Sequence, residues 1–562
     1  MSPDLAACAV LHQWVCDLAQ GCEQGPSGVD VEPVPLARNV LYPLRPMNYA
    51  FSRLIVAVPL LAHALAPELA AQDGEAGEAE ASESGSLRLN VNGAVTMALG
   101  SNLELALSAV QTEISRFDEL GSWGAFDWVF DATLGRQDSE TKAGGFLGGG
   151  LDGAVIQTDS ESLNLSFTRP LTSGGSFALA FSNRVSDSNS FLQDDPEQYT
   201  DSLNLSYTQP LMRGAWSEYA TSIQRQGELA YRRQVETERQ ARLGVVYQVR
   251  IAYWDLVNSM EQRGVAESGV DLGQSRLEQS ERRLAAGVGT AVDVIQARVE
   301  LATRHEALIQ SQNGVAQTMD ILRRLIFSGK REGMWDTELV PTAGLPDQVT
   351  AEGIPGLGES LATALAERPA LRQRQMDIDT ARLRHAQRIS ERMSGLNLSF
   401  SAAAGSVGAQ SGATFEETLD FKYPTYGVSL NYNLNLGNRT SAYAERSGRA
   451  SVRAAIIEYD REELQVTSEV RAAQRGVHYA VEQVAATTTS LELARRQLEA
   501  ENARFAQDLS TTFQVLEFQH NLIEAMSNER AARAGFVKAL AELDNALGIF
   551  PRPDPEPAGS DS

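Results

Sequence analysis

Apolar residues recur at helical spacing through long parts of the chain. In one such part they follow one another at steps of three, four or seven: Leu243, Val246, Tyr253, Leu256 and Met260. Steps of this kind place the side chains on one face of a helix. The pattern therefore predicts amphipathic helices that pack lengthwise against neighbours.

The two longest predicted helices, 215–286 and 440–507, coincide with gaps in the proline distribution. No proline lies inside the stretch 211–340 or inside 425–550. Since proline clashes with the preceding turn of a helix, such gaps are where uninterrupted helices can form. At 1.5 Å rise per residue each helix would be about 100 Å long, which indicates a coiled coil or the wall of a tube.

The remaining helical segments follow one order twice. Each long helix is followed by a shorter one, at 291–327 and 513–548, and is preceded by strands and an earlier short helix, at 93–120 and 359–392. This order predicts an internal two-fold repeat.

Residues 283–301 also align without gaps on 504–522, sharing Arg, Ala, Thr, Val and Leu positions. We therefore expect a first repeat at 87–327, a linker at 328–358 and a second repeat at 359–549.

Strict alternation of apolar and polar residues marks the predicted strands. The apolar positions are Phe126, Trp128, Phe130, Ala132 and Leu134; Leu203, Leu205 and Tyr207; Leu396, Leu398 and Phe400; and Val428, Leu430, Tyr432 and Leu434. Asn, Ser, Thr and Asp fill most of the positions between them. Such alternation suits a barrel wall between lipid and water, although a half-buried soluble sheet alternates in the same way.

The N-terminal region resembles an export signal. Met47 opens a segment with a 13-residue apolar run, Leu54 to Ala66, and small residues that suit cleavage before Gln72. We expect a signal peptide at 47–71 and a flexible leader at 72–86. Residues 1–46 are either an over-extended gene start or a genuine extension, and 550–562 form an acidic tail. The three cysteines all precede residue 72.

Composition and motifs exclude several functions. A formal net charge of -25 argues against a nucleic-acid partner, because phosphate binding needs excess Lys and Arg. The sequence contains no H-E-x-x-H, G-x-S-x-G or phosphate-loop motif, so it predicts neither an enzyme nor a cofactor.

An ordered set of segments resembles the TolC-like outer-membrane efflux protein family over roughly residues 87–549. The segments are 98–110, 202–214, 249–257, 282–301, 364–372, 433–445 and 512–525. The resemblance implies an α+β membrane protein whose homotrimer combines one outer-membrane β-barrel with a long periplasmic α-helical barrel. Each protomer would give four of twelve strands. A periplasmic adaptor and an inner-membrane transporter would be the partners.

Two strand-like segments exceed that count of four. They surround the turn residues 172–175, so 163–181 is a predicted hairpin. We expect this hairpin to lengthen an extracellular loop rather than to join the barrel.

The resemblance also locates the functional residues at the helix-to-helix turns of the periplasmic tip. The expected adaptor-docking residues are Arg283, Leu284, Gly287, Val288, Arg504, Phe505, Leu509 and Ser510. The expected periplasmic constriction consists of Asp293, Gln514 and Glu517, with Gln514 in place of a frequent aspartate. The alternative for Gly287 is that it only ends a helix, and the alternative for each acidic residue is that it is a solvated charge on a helix face.

The expected function is that of a passive outer-membrane conduit in a tripartite efflux or type I secretion system. The alternative is an exported, non-conducting coiled-coil spacer or adhesin. A polar face on every strand favours the conduit.

Overall fold

The computed structural model describes most of the two expected repeats. The described ranges are 86–143, 154–190, 195–327, 333–350, 353–507 and 509–550. The expected N-terminal extension, signal peptide, most of the leader and most of the acidic tail lie outside them.

The described residues form ten α-helices and eight strands. The helices are α1 Val91–Ser101, α2 Leu103–Ser122, α3 Trp216–Ala220, α4 Ser222–Ala285, α5 Ala291–Ile326, α6 Leu357–Glu367, α7 Pro369–Arg392, α8 Ser411–Leu419, α9 Arg439–Ala506 and α10 Thr512–Leu547. The strands are β1 Ser86–Leu89, β2 Val129–Ala143, β3 Ala154–Pro170, β4 Ser176–Ser188, β5 Glu197–Pro210, β6 Glu338–Pro341, β7 Gly395–Gly408 and β8 Pro424–Asn433.

The predicted long helices are confirmed. Helix α4 has 64 residues and α9 has 68, so they are about 96 and 102 Å long at the usual helical rise. Each is followed, after a short turn, by a helix of 36 residues, α5 or α10. The described part of the chain therefore contains two long helical hairpins side by side.

The two shorter predicted helices are each broken in two. The first is interrupted at Asn102, whose side chain accepts hydrogen bonds from the backbone of Glu104 and Leu105 and donates one to the Leu325 carbonyl at 3.0 Å. The second ends at Glu367 and restarts at Pro369, since a proline fits the first position of a helix better than its interior.

Strands β2–β3–β4–β5–β7–β8 form one antiparallel six-stranded sheet in that order. The expectation that the 163–181 hairpin is an extracellular loop is wrong, because its strands β3 and β4 pair between β2 and β5. The first predicted strand also begins later than expected. Phe126 ends a short 3₁₀ helix, and the strand starts at Val129.

The alternation of apolar and polar residues gives the six-stranded sheet one apolar face. Across the sheet, cross-strand neighbours on that face are Ala132, Leu165, Phe181, Leu203 and Ala404. The opposite face carries small and polar residues at the same level. Large apolar side chains on this face are exposed on β2 and β8, for example Phe130 and Leu430, and mostly half-buried on the strands between them. An apolar outer face of this kind suits contact with lipid.

The main core lies where both helical hairpins meet the small parallel sheet of β1 and β6. Tyr253 is fully buried there, and its hydroxyl donates to the Leu89 carbonyl and accepts from the Ala343 amide, both at 3.2 Å. Tyr253 and Trp254 thus have a packing role. The two hydrogen bonds of Tyr253 tie the linker and the first strand to α4.

A buried ion pair crosses the same core. The Arg250 guanidinium of α4 lies 2.8 Å from the Asp544 carboxylate of α10, and both side chains are almost completely buried. Because each charge depends on the other for compensation, the pair fixes the register between the first and second hairpins.

No single described helix is long and apolar enough to cross a membrane. The α1 segment and Leu103–Phe126 together pass the same test of length and composition, with a 44° bend between them.

We predict that Asp544→Ala lowers the free energy of unfolding by about 3–5 kcal/mol, because Arg250 would keep a buried, uncompensated charge. Urea unfolding followed by helical circular dichroism measures this loss. As a control, Glu228→Ala breaks the exposed Arg232–Glu228 pair and should cost less than about 1 kcal/mol. Equal losses in the two variants would contradict the special role of the buried pair.

Candidate functional site at the helical tip

The helical hairpins end in two turns of the same construction. In the first, the amides of Val288 and Gly287 donate to the carbonyls of Arg283 and Leu284, at 3.0 Å each. Gly287 has a φ of +75°, the left-handed conformation that ends many helices and that glycine adopts without strain. In the second turn the Leu509 amide donates to the Arg504 carbonyl at 3.0 Å. The aligned position Asp508 lies outside the described residues.

Each following helix begins with a reciprocal cap. The Thr290 hydroxyl accepts from the Asp293 amide at 3.2 Å, and the Asp293 carboxylate accepts from the Thr290 amide at 2.9 Å. Thr511 and Gln514 repeat both bonds at 3.3 and 3.4 Å. In the gapless alignment of 283–301 with 504–522, Thr290 therefore aligns with Thr511 and Asp293 with Gln514, and the aligned residues have the same capping roles.

An aromatic ring joins the two turns inside one protomer. Phe505 of α9 is 5% exposed, and the guanidinium groups of Arg276 and Arg283 from α4 lie 3.9 and 4.8 Å from its ring centre. Cations over an aromatic face are attracted by the electron density of the ring. Phe505 differs in this respect from the other expected docking residues, since its ring packs inward and holds the turns together.

The side chain of Arg276 is almost completely buried in this contact with Phe505. The pKa of Arg276 is lowered to about 10, chiefly by burial and next by the nearby positive charge of Arg283, while Asp293 partly opposes the shift. The residue stays charged at neutral pH. Sequence reasoning missed Arg276 because it lies in the interior of a long helix, where nothing in the local pattern marks a contact with a residue more than 200 positions later.

The other expected docking residues surround this buried stack. Val288 and Leu509 are 63% and 71% exposed, and Leu284 and Arg504 are also exposed. Ser510 is half-buried, and its hydroxyl donates to the carboxylate of the buried Glu501. Glu501 was another residue that the sequence did not single out. The outer surface of the tip is thus a mixture of apolar and cationic side chains.

The expected constriction residues have different environments. Hydrogen bonds from Thr290, and a further one from Thr512 of the second hairpin, hold the pKa of Asp293 below its usual value. Gln514 is the uncharged counterpart in the second cap. Glu517 is exposed one turn further along α10. Asp293 therefore has a capping role, whereas Glu517 is available to a lumen or to solvent.

A sequence model described as outer membrane efflux protein matches residues 175–326 and 361–549, which together exceed half of the chain. The two matches contain both helical hairpins together with strands β4, β5, β7 and β8, whereas β1, β2 and β3 precede the first match. The chain belongs to the outer membrane efflux protein family. Members of this family are outer-membrane efflux channels, so the chain is a transport protein of the outer membrane, with a large periplasmic helical part, and is not an enzyme.

Solved structures of such channels share the fold. The outer-membrane channel OprN matches with a TM-score of 0.62 at 14% identity, over 86% of this chain and 99% of that one. VceC of Vibrio cholerae matches at 0.60 and 14%, over 82% and 96%. CmeC of Campylobacter jejuni matches at 0.60 and 14%, over 87% and 96%. A comparison with curated protein sequences gives no significant match.

We predict that Gly287→Ala weakens the first turn by about 1–2 kcal/mol, since a Cβ is disfavoured at positive φ even though the space around it is open. Amide exchange at Val288, measured by NMR or mass spectrometry, reports the local loss. Gly314→Ala is the matched control, because that glycine lies inside helix α5 with open space, where alanine should stabilise. Equal protection in the two variants would contradict the turn's dependence on glycine.

We also predict that the Asp293 cap of the first turn loosens in acid, whereas the uncharged Gln514 cap of the second turn has no carboxylate to protonate. A carboxylate whose pKa is lower in the folded state stabilises the fold at pH values above its ordinary pKa of 3.8. This stabilisation is lost as the pH falls through the lowered pKa. Exchange rates in 286–290, corrected for intrinsic pH dependence, should therefore rise below about pH 4. Asp293→Asn should remove that rise, and the Gln514 cap should show none.

Proposed function

We propose that three copies of this chain assemble into one continuous outer-membrane conduit. The conduit receives substrate from an inner-membrane transporter through a periplasmic adaptor. Membership of the efflux family supports export as the activity, and the resemblance to TolC-like proteins supplies the number three. The open edges of the six-stranded sheet are the observation that carries the proposal.

Strands β2 and β8 stand at the two edges of the sheet and pair with no further strand of the described chain. In lipid, an unpaired backbone donor or acceptor costs several kcal/mol, so an open sheet is not a stable membrane-spanning structure. Pairing between β2 of one copy and β8 of the next satisfies both edges. The protomer therefore requires other copies of itself.

The helices show the same incompleteness. Helix α2 exposes an apolar stripe with steps of three and four: Leu103, Leu107, Val110, Ile114, Phe117 and Leu120. Helix α5 exposes a second stripe near the tip: Val292, Ile295 and Val299. Such stripes normally pack against a neighbouring helix, and assembly around an axis supplies one.

The tip supports the docking proposal. Val288 and Leu509 project from adjacent turns, with Arg504 beside them. This surface would accept an apolar helical end that carries acidic residues, and we assign the adaptor to it. In a trimer, Glu517 would occur three times at one level. We propose that these carboxylates concentrate negative potential in a constriction and favour cations.

The non-conducting spacer has no observation in its favour. A spacer requires neither a sheet with one apolar and one polar face nor edges that await further strands.

Conductance of the purified protein in a planar bilayer tests the conduit. We expect discrete, cation-preferring steps, and we expect Glu517→Ala to lower the cation-to-anion permeability ratio at least about twofold because a ring of charge is lost. Glu499→Ala, an exposed carboxylate on the neighbouring α9, is the control and should leave selectivity unchanged.

The remaining outcomes separate the parts of the proposal. Steps that are indifferent to Glu517→Ala would keep the conduit and reject this residue as its selective ring. Folded trimers without any conductance, even after charge removal at the tip, would reject the conduit itself.

A further inference from the structure

We propose that the assembled barrel contains eighteen strands rather than twelve, because the hairpin of β3 and β4 is part of its wall. The inference rests on the proposed trimer, in which each copy contributes its whole sheet. It changes the diameter of the membrane pore and therefore the width of cargo that can leave through it.

The pairing pattern is the first reason. Strand β3 pairs with β2 along its entire length, from Val129 opposite Thr168 to Ala143 opposite Ala154. Strand β4 then pairs with β3 on one side and with β5 on the other, again over nearly its full length. Removal of the hairpin from the wall would therefore break two long ladders, β2–β3 and β4–β5, and form only one, β2–β5, in their place.

The shared alternation is the second reason. Leu165 and Phe181 lie level with Leu203 on the apolar face, while Asn164, Ser182 and Ser202 belong to the polar positions. A loop outside the membrane has no physical need for one continuous lipid-compatible face. The β3–β4 hairpin thus has one apolar and one polar face, as do the four strands per copy that the family resemblance implies.

The position of the turn is the third reason. The turn between β3 and β4 lies against the end of β5 and the segment that follows it. The side-chain amide of Gln209 on β5 donates to the Ser173 carbonyl at 3.1 Å. A Cβ on Gly174 would lie 2.8 Å from the Gly214 carbonyl oxygen, so glycine permits this close approach. The turn thus belongs to the helical end of the sheet, whereas an extracellular insertion would turn at the opposite end.

A contact from the second half of the chain is the fourth reason. Helix α8 connects β7 to β8, and its Phe415 ring packs edge-on against Phe181 of β4, 5.6 Å between centres. The same helix reaches β5, where the Thr418 hydroxyl donates to the Asp201 carbonyl. The hairpin is therefore fixed to the sheet by β2, by β5 and by α8.

The width follows from strand number. With strands about 4.8 Å apart and tilted by about 40°, twelve strands give a barrel about 24 Å across and eighteen give about 36 Å. A ring of twelve helices, four from each copy at the sheet end, would measure about 31–38 Å at ordinary helix spacing. The wider barrel would continue such a ring without narrowing, and would pass folded or bulky cargo more readily.

Cross-linking in the full-length trimer tests strand neighbours. Every native cysteine precedes residue 72, so Ser replacements at Cys8, Cys16 and Cys22 give a thiol-free background. We expect a short bifunctional thiol reagent to link Ala132→Cys with Leu165→Cys. It should not link Ala132→Cys with Leu203→Cys, which lie three strand spacings, about 14 Å, apart. A link in the second pair alone would place β2 beside β5 and overturn the proposal.

Distances between copies test the width. A nitroxide at Ala403→Cys, on strand β7, should give an inter-copy distance of about 31 Å in an eighteen-stranded barrel and about 21 Å in a twelve-stranded one. A nitroxide at Leu464→Cys on α9 reports the trimer independently of strand number. A distance near 21 Å at residue 403 with an intact trimer overturns only the eighteen-stranded barrel. Loss of inter-copy distances at both positions overturns the trimer, and with it both proposals.

Discussion

Backbone hydrogen bonding in lipid is the constraint on which this structure depends. A membrane offers no water to an unpaired amide or carbonyl, so every strand in the sheet needs a partner on both sides. Among the described residues, strands β3, β4, β5 and β7 have a partner on both sides, and β2 and β8 have a partner on one side only. The two sheet edges and the exposed helix stripes of the described chain would gain their missing neighbours in the proposed trimer.

The long helices are stabilised in a different way from the sheet. Helices satisfy their own backbone, so rods of about 100 Å can extend from the sheet without further strand pairing. Their stability depends instead on side-chain burial, which is concentrated in the core around Tyr253 and the Arg250–Asp544 pair. Away from this core each rod packs against its own hairpin partner toward the tip, and against α2 or α7 toward the sheet. The turns at the far end accordingly carry their own caps and their own aromatic stack.

Much of the fold could be predicted from the sequence, because its signals are local and repeated. Proline gaps and apolar spacing located α4 and α9 to within a few residues at most ends, and alternation located the strands. Breaks at Asn102 and Pro369 were missed because the helical pattern continues across them. The hairpin of β3 and β4 was correctly seen as strands but wrongly placed, since alternation identifies a strand and not its neighbours.

The tip was partly predictable for the same reason. The threonine caps at Thr290 and Thr511 follow a readable motif, and Gly287 marks a helix end. The stack of Arg276 on Phe505 could not be read, because it joins two helices that are distant in sequence, and burial of Phe505 depends on that contact. Pairwise tertiary contacts of this kind leave no trace in the spacing of a single chain.

The stack has a mechanical consequence. Phe505 lies against arginines of the first hairpin, and Thr512 bonds to Asp293, so the two turns of one copy form a single body. In the proposed trimer, a change in the aperture at the tip must then either break these contacts or occur along the interfaces between copies, for which the exposed Val292, Ile295 and Val299 are candidates. Movement along these interfaces would cost less free energy, since apolar side chains can slide past one another without losing a hydrogen bond. The aperture of such a conduit would change when three rigid tips, one from each copy, shift against each other, and not when six turns bend separately.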